Sequence, residues 1–151
     1  MENCLETNPP YSSNCFEFFI VQYFPFAVRD EHVNIGIILL DCGESNPAPP
    51  HVQFTKSWRR VLSLDPNADI ELLSSVEAGL LDALTDAGRD AREEMKRFEE
   101  SWSTSLRLSR GEIPASLRSS SGKAILISNL PEGIKHLMKL FVEDPEGNGP
   151  N

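Results

Sequence analysis

Apolar and polar positions divide the chain into segments of different period. Cys15 to Phe24 is dense in aromatic and branched residues, with Phe16, Phe18 and Ile20 pointing one way and Phe19, Val21 and Tyr23 the other. Apolar residues on both faces predict a strand covered on both sides, or one central in its sheet. Pro25 ends it. Val33 to Asp41 reads as a second strand, with Val33, Ile35, Ile37 and Leu39 on one face and Asn34 and Gly36 on the other. The residues between, Pro25 to His32, suit a hairpin-like connection, so the two strands are expected to pair antiparallel. After a loop at 42–50 (CGESNPAPP), His51 to Thr55 alternates and predicts a short third strand.

The period then changes. Asp65-Pro66-Asn67-Ala68-Asp69 is a turn and helix-start signal in which either Asp65 or Asp69 can cap. The helix is expected to run to about Ala87, with Leu73, Val76, Leu80, Leu81 and Leu84 on one stripe and Gly88 at its end. Ala91, Met95, Phe98 and Trp102 mark a second amphipathic helix. Leu106 and Leu108 suggest a short strand, Gly111 to Gly122 reads as an irregular loop, and Ala124 to Ile127 is an apolar run of either type. Pro131 opens a final helix faced by Ile134, Leu137, Met138 and Phe141. The order is α+β: a small antiparallel sheet of three N-terminal strands plus one or two later ones, packed against about three helices. Residues 1–14 are expected to be irregular, 15–143 to form one domain and 144–151 to be a disordered tail.

Charge narrows the partners. The 151 residues carry a net charge of −9, which argues against duplex nucleic acid, whose binding rests on phosphate neutralisation by Lys and Arg. Within that balance, residues 102–143 hold 6 basic and 3 acidic side chains, leaving room for a small anion site. The longest apolar run is far short of the ~20 residues of a membrane helix, so no membrane partner is expected. The three cysteines, Cys4, Cys15 and Cys42, show no metal-ligand spacing, and the last two fall in strand-like contexts where a thiol acts as a small apolar residue. With an acidic N-terminus unlike a secretory signal, they favour a reducing cytoplasm.

Motifs that carry chemistry are scarce. The run SSSGKA at 119–124 resembles a phosphate loop, but the position that must be Gly is Leu117, and Lys123 precedes Ala124 rather than Ser or Thr. Asp65, Asn67 and Asp69 have the spacing of the first calcium-loop ligands, but Ile70 and Val76 replace the required Gly and Glu. The histidines 32, 51 and 136 form no paired motif, so no metal, cofactor or catalytic residue is assigned. Two places stand out. Arg29-Asp30-Glu31-His32-Val33-Asn34-Ile35-Gly36 packs charge, His and Asn into a turn leading into a buried strand, and Gly36 there signals a bulge or a close backbone approach. Trp58-Arg59-Arg60 sets two cations beside an aromatic. A structural role has Asn34 bonding the backbone of the Arg29–His32 turn and Trp58 anchoring the core. A functional role makes Arg29, Glu31, His32, Asn34, Gly36, Trp58, Arg59 and Arg60 a ligand or partner site.

The run from Tyr23 to Leu40, YFPFAVRDEHVNIGIILL, resembles the opening signature of the bacterial family called domain of unknown function 3037. Pro25, Arg29, Glu31, Asn34 and Gly36 match it in order, while His32 departs from a position commonly aromatic there. Trp58-Arg59-Arg60 followed by Asp65 and Asp69 looks like the family's next block, and the helix through Val142 like its end. The resemblance implies a small single-domain bacterial protein without an established activity. It also implies a protein partner, since members are often encoded beside kinase-fold proteins of toxin–antitoxin type. The expected function is a non-catalytic accessory or interaction domain, within a two-gene module of that kind. The alternative is a small anion- or nucleotide-binding domain or enzyme, with its site around the Arg29–Gly36 turn and Trp58–Arg60.

Overall fold

The computed structural model describes residues 14–25, 31–42, 48–100, 107–108, 111–112 and 117–143. A five-stranded antiparallel sheet lies between two helical layers. Strand β1 (Asn14–Tyr23) is central. On one side it pairs with β2 (Val33–Asp41), which pairs with the edge strand β3 (His51–Phe54). The chain then forms α1 (Arg59–Leu64), α2 (Ile70–Ala87), a 3-10 turn and α3 (Ala91–Glu100). Strands β4 (Arg107–Leu108) and β5 (Gly111–Glu112) make a separate small hairpin. Strands β6 (Leu117–Ser119) and β7 (Lys123–Ile127) return to the free side of β1 before α4 (Leu130–Leu137), which ends in a π-helical turn, Met138–Val142.

The α+β reading and the antiparallel pairing of the first strands hold, and β1 is buried on both faces as its sequence demands. Phe19, Val21 and Tyr23 enter the core beneath α1, α2 and α3, with Leu73, Val76, Leu80, Leu84 and Met95. Phe16, Phe18 and Ile20 enter the other, with Leu137, Met138 and Val142.

The single-face assignment of β2 does not hold. Val21 pairs with Gly36 but Gln22 pairs with Asn34, so Ile35 is an extra residue, a β-bulge. The bulge reverses the alternation: Val33 and Ile35 join the core under α1–α3, while Ile37 and Leu39 join the core under α4. Asn34 and Gly36 are separated as well, because a Cβ on Gly36 would meet the Phe54 ring of the first core, 2.8 Å from Cε1, whereas Asn34 reaches the α4 layer.

The 111–122 loop expectation is likewise corrected, since β5 and β6 form there. Between Phe18 and Val21 the partner moves from Lys123 to Ser119, which places one extra residue on that side also. Ser120 mends the break, its N–H donating to Ile20 O and its Oγ accepting from Ile20 N–H, both at 2.9 Å. The apolar run before α4 resolves as β7. Helix α1 is an element the periodicity does not show: it has no side-chain cap and buries Val61 alone.

Asp69 is the residue that caps α2, accepting from Leu72 N–H at 3.1 Å, and Gly88 ends it with φ +57°. Leu81 lies off the buried stripe, 38% exposed. Asp65 instead ties the α1–α2 turn to β1, accepting from the Tyr23 hydroxyl at 2.6 Å and from Asn67 N–H at 3.2 Å. Burial, then the bond to Asp65, raise the Tyr23 phenol well above its ordinary range. Residues 1–13, Trp102, Leu106, residues 144–151 and the side chain of Phe98 lie outside the described residues.

Gly36→Ala is expected to lower unfolding stability by about 1–3 kcal/mol, because the new methyl must displace the Phe54 ring from a packed core. Urea midpoints beside wild type check it, and an unchanged midpoint would show that Phe54 moves freely.

Candidate functional site

The C-terminal end of a helix carries orphan carbonyls, and a π-turn adds to them. Here two side chains take them. Asn34, on β2, donates from Nδ2 to Phe141 O at 2.9 Å. Arg60, in the first turn of α1, donates from Nη1 to Val142 O at 2.8 Å. The guanidinium also places positive charge at the negative end of the helix dipole. Asn34 thus bonds backbone, but the backbone of α4 and not of the Arg29–His32 turn. Its Oδ1 is buried without a hydrogen-bond partner among the described residues.

Trp58 follows the structural reading too. It precedes α1, packs against the core under α1–α3 and meets Phe54 edge-on at 6.5 Å between centroids. Arg59 lies on the exposed side of α1. Arg29 lies outside the described residues.

What converges on a common space is Glu31, His32 and Arg60. With Val33, Ser63 and Leu64 they line an open cleft of about 410 Å³ between the start of β2 and α1. His32 stacks on Phe24, with centroids 4.7 Å apart and planes 25° apart, and its Nε2 lies 3.5 Å from Gln22 Nε2. The Arg118 guanidinium carbon lies 4.2 Å from the centre of the same Phe24 ring. Phe24, Arg118 and Gln22 were not legible as site residues. Arg118 and Gln22 meet only because β6 pairs with β1, Gln22 opposite Arg118.

A second cleft, of about 390 Å³, opens between β3 and α4 and is lined by His51, Gln53, Pro131, Ile134, Lys135 and Met138, among others. Burial lowers the pKa of His51, so the folded state favours the neutral imidazole. Among the described residues no group of three or more His, Cys, Asp or Glu side chains is placed to hold a metal ion.

Asn34→Ala is expected to lower stability by about 1–3 kcal/mol, by unpairing the Phe141 carbonyl and leaving a gap beneath the π-turn. Asn34→Asp is expected to cost at least as much at neutral pH, because a carboxylate oxygen would face that carbonyl. Near-identical urea midpoints for the three proteins would refute the clamp.

The partly buried imidazole of His51 couples stability to pH. With a folded pKa below the unfolded value, the unfolded chain takes up the proton first as pH falls. Stability is therefore intact above about pH 6.5 and declines below it. The decline between about pH 7.5 and 5.5 should be smaller in His51→Gln, and equal losses in both proteins would exclude His51 as the cause.

Comparison with known proteins agrees with the signature. No curated protein and no solved structure matches the chain. A family model described as a protein of unknown function (DUF3037) matches residues 18–142, which spans β1 from Phe18 to the last residue of the π-turn. The chain that carries Asn34 and Arg60 on the end of α4 belongs to the family of domain of unknown function 3037.

Proposed function

We propose that this domain is a non-catalytic interaction module, and that the cleft between β2 and α1 receives a segment of a protein partner. The observation that carries this reading is the engagement of Asn34, Gly36 and Arg60 in the scaffold: two hold the end of α4 and one admits Phe54. Of the three, Arg60 lines the cleft, and its bond to Val142 O fixes that part of the wall. Small-molecule sites are typically enclosed and bury most of their ligand, whereas this cleft is open and mixes Glu31, Arg60 and Ser63 with Val33 and Leu64. The adjoining Arg118–Phe24–His32 stack supplies the aromatic and arginine character typical of binding hot spots. A net charge of −9 favours a partner whose docking surface is basic. The proposed setting is the bacterial cytoplasm, and the proposed partner class is the kinase-fold protein that the family resemblance implies.

Ser63→Trp, on the exposed side of α1, would fill the cleft while replacing neither Asn34 nor Arg60. Wild-type and Ser63→Trp domains of equal melting temperature should differ when used as bait in the native host. One stoichiometric protein captured by the first and lost by the second is the expected result. Capture by both would move the interface elsewhere. Capture by neither, with thermal stabilisation by nucleotide or phosphate, would replace this reading with an anion site.

A further inference from the structure

Two of the three cysteines face each other across the first hairpin. The register that pairs Phe16 with Asp41 carries on to Cys15 and Cys42, and Cys42 N–H donates to Cys15 O at 3.1 Å. Hydrogen-bonded pairs of an antiparallel ladder have Cα atoms about 5.5 Å apart, inside the range a disulfide spans. Both side chains leave the same face of the sheet. Cys15 precedes Glu17 and Phe19 on the α1–α3 side of β1, and Cys42 follows Ile38 and Leu40 on the same side of β2. The two thiols lie within electrostatic reach of each other, Cys15 Sγ donates to Phe16 O at 4.0 Å, and both cysteines are partly exposed. Arg92, bound to Glu17 at 2.8 Å, brings a guanidinium into electrostatic reach of both sulfurs.

We propose that Cys15 and Cys42 are a redox modification site that closes reversibly to an intramolecular disulfide in exchange with a small disulfide such as oxidised glutathione. One cysteine thiolate attacks a glutathione sulfur, forming a protein–glutathione S–S bond, and the first glutathione leaves as thiolate with the electron pair of the broken bond. The second cysteine, having lost its proton, attacks the protein sulfur of that mixed disulfide and expels the second glutathione thiolate. Two protein thiols have then lost two protons and two electrons, and one small disulfide has become two thiols. On Cys42 the Arg92 guanidinium favours the thiolate and its partner Glu17 opposes it. Burial, with the neighbouring Cys15 thiol, pushes Cys42 up to about 11, so Cys42 rests as the thiol at neutral pH.

Geometry also sets how firmly the bond is held. Side chains in a hydrogen-bonded pair diverge slightly, so closure needs the strands to give. Cys42 lies just beyond the last residue of β2 and Cys15 is the second residue of β1, where the ladder ends and adjustment is easiest. Both cysteines are partly exposed, so a thiol can reach the bond and reduce it again.

The test uses the full chain with Cys4→Ser, which leaves Cys15 and Cys42 as its two cysteines. After excess oxidised glutathione and alkylation of remaining thiols, intact mass should show the loss of two hydrogens, no glutathione adduct and no alkylation. The melting temperature should rise by roughly 5–10 °C and return with dithiothreitol. Stable glutathione adducts, two alkylated thiols, or a disulfide that lowers the melting temperature would overturn the proposal. Neither outcome bears on whether the cleft binds a partner, because the cysteines lie at the other end of the β1–β2 ladder.

Discussion

Burial of β1 on both faces is the constraint that the other elements answer to. Phe16, Phe18 and Ile20 on one side and Phe19, Val21 and Tyr23 on the other make both faces of the strand apolar, with Glu17 and Gln22 left partly exposed. Apolar area on that scale is removed from water only by a layer of helices above and another below. Helix α2 supplies most of the first through a four-residue stripe, Leu73, Val76, Leu80 and Leu84. The second layer is thinner. It rests on one helix of two turns and a π-turn, whose buried residues are Leu137, Met138 and Val142.

A thin layer needs fastening, and the fastening is polar. Asn34 and Arg60 reach α4 from β2 and from α1, elements that otherwise belong to the sheet and to the opposite layer. Each satisfies a carbonyl that the helix end leaves bare, so the contact both holds α4 in place and removes a desolvation cost. The bulge at Ile35 is part of the same arrangement. By reversing the alternation midway along β2, it lets Asn34 point toward α4 while Val33 and Ile35 on either side of it point toward α1–α3.

That bulge also marks the limit of what the sequence tells. Residues Asn14–Tyr23 and Val33–Asp41 are legible as strands because branched and aromatic residues dominate both. Helix α2 is legible from its stripe and its Asp69 and Gly88 ends. A period of two cannot register one inserted residue, however, and Gly36 was the available sign that the pattern breaks. Strand β6 is hidden for a different reason: Leu117-Arg118-Ser119 has little strand preference of its own and is extended because β1 offers a partner. Of the site, Asn34, Gly36 and Arg60 stood out as residues, but their partners did not. A backbone carbonyl at Phe141 has no signature in sequence. The facing of Cys15 and Cys42 depends on the same bulge: counted from the Tyr23–Val33 pair, Cys42 is one residue further along its strand than Cys15, and Ile35 is the difference.

The place of β1 in the sheet has a consequence for synthesis. The strand leaves the ribosome ahead of every strand it pairs with, and Val21 waits for Ser119 to complete its ladder. At about 5–20 residues per second, the hundred residues between them take roughly 5–20 s to be made. Through that interval β1 has β2 as a neighbour, then β3 and α2, and its outer edge stays unpaired beside the face that α4 will cover. A nascent chain in that condition is a hairpin with an open edge and exposed aromatics, the form that invites pairing with another nascent copy. Speed of translation through residues 23–119, more than the stability of the finished domain, sets how long that exposure lasts.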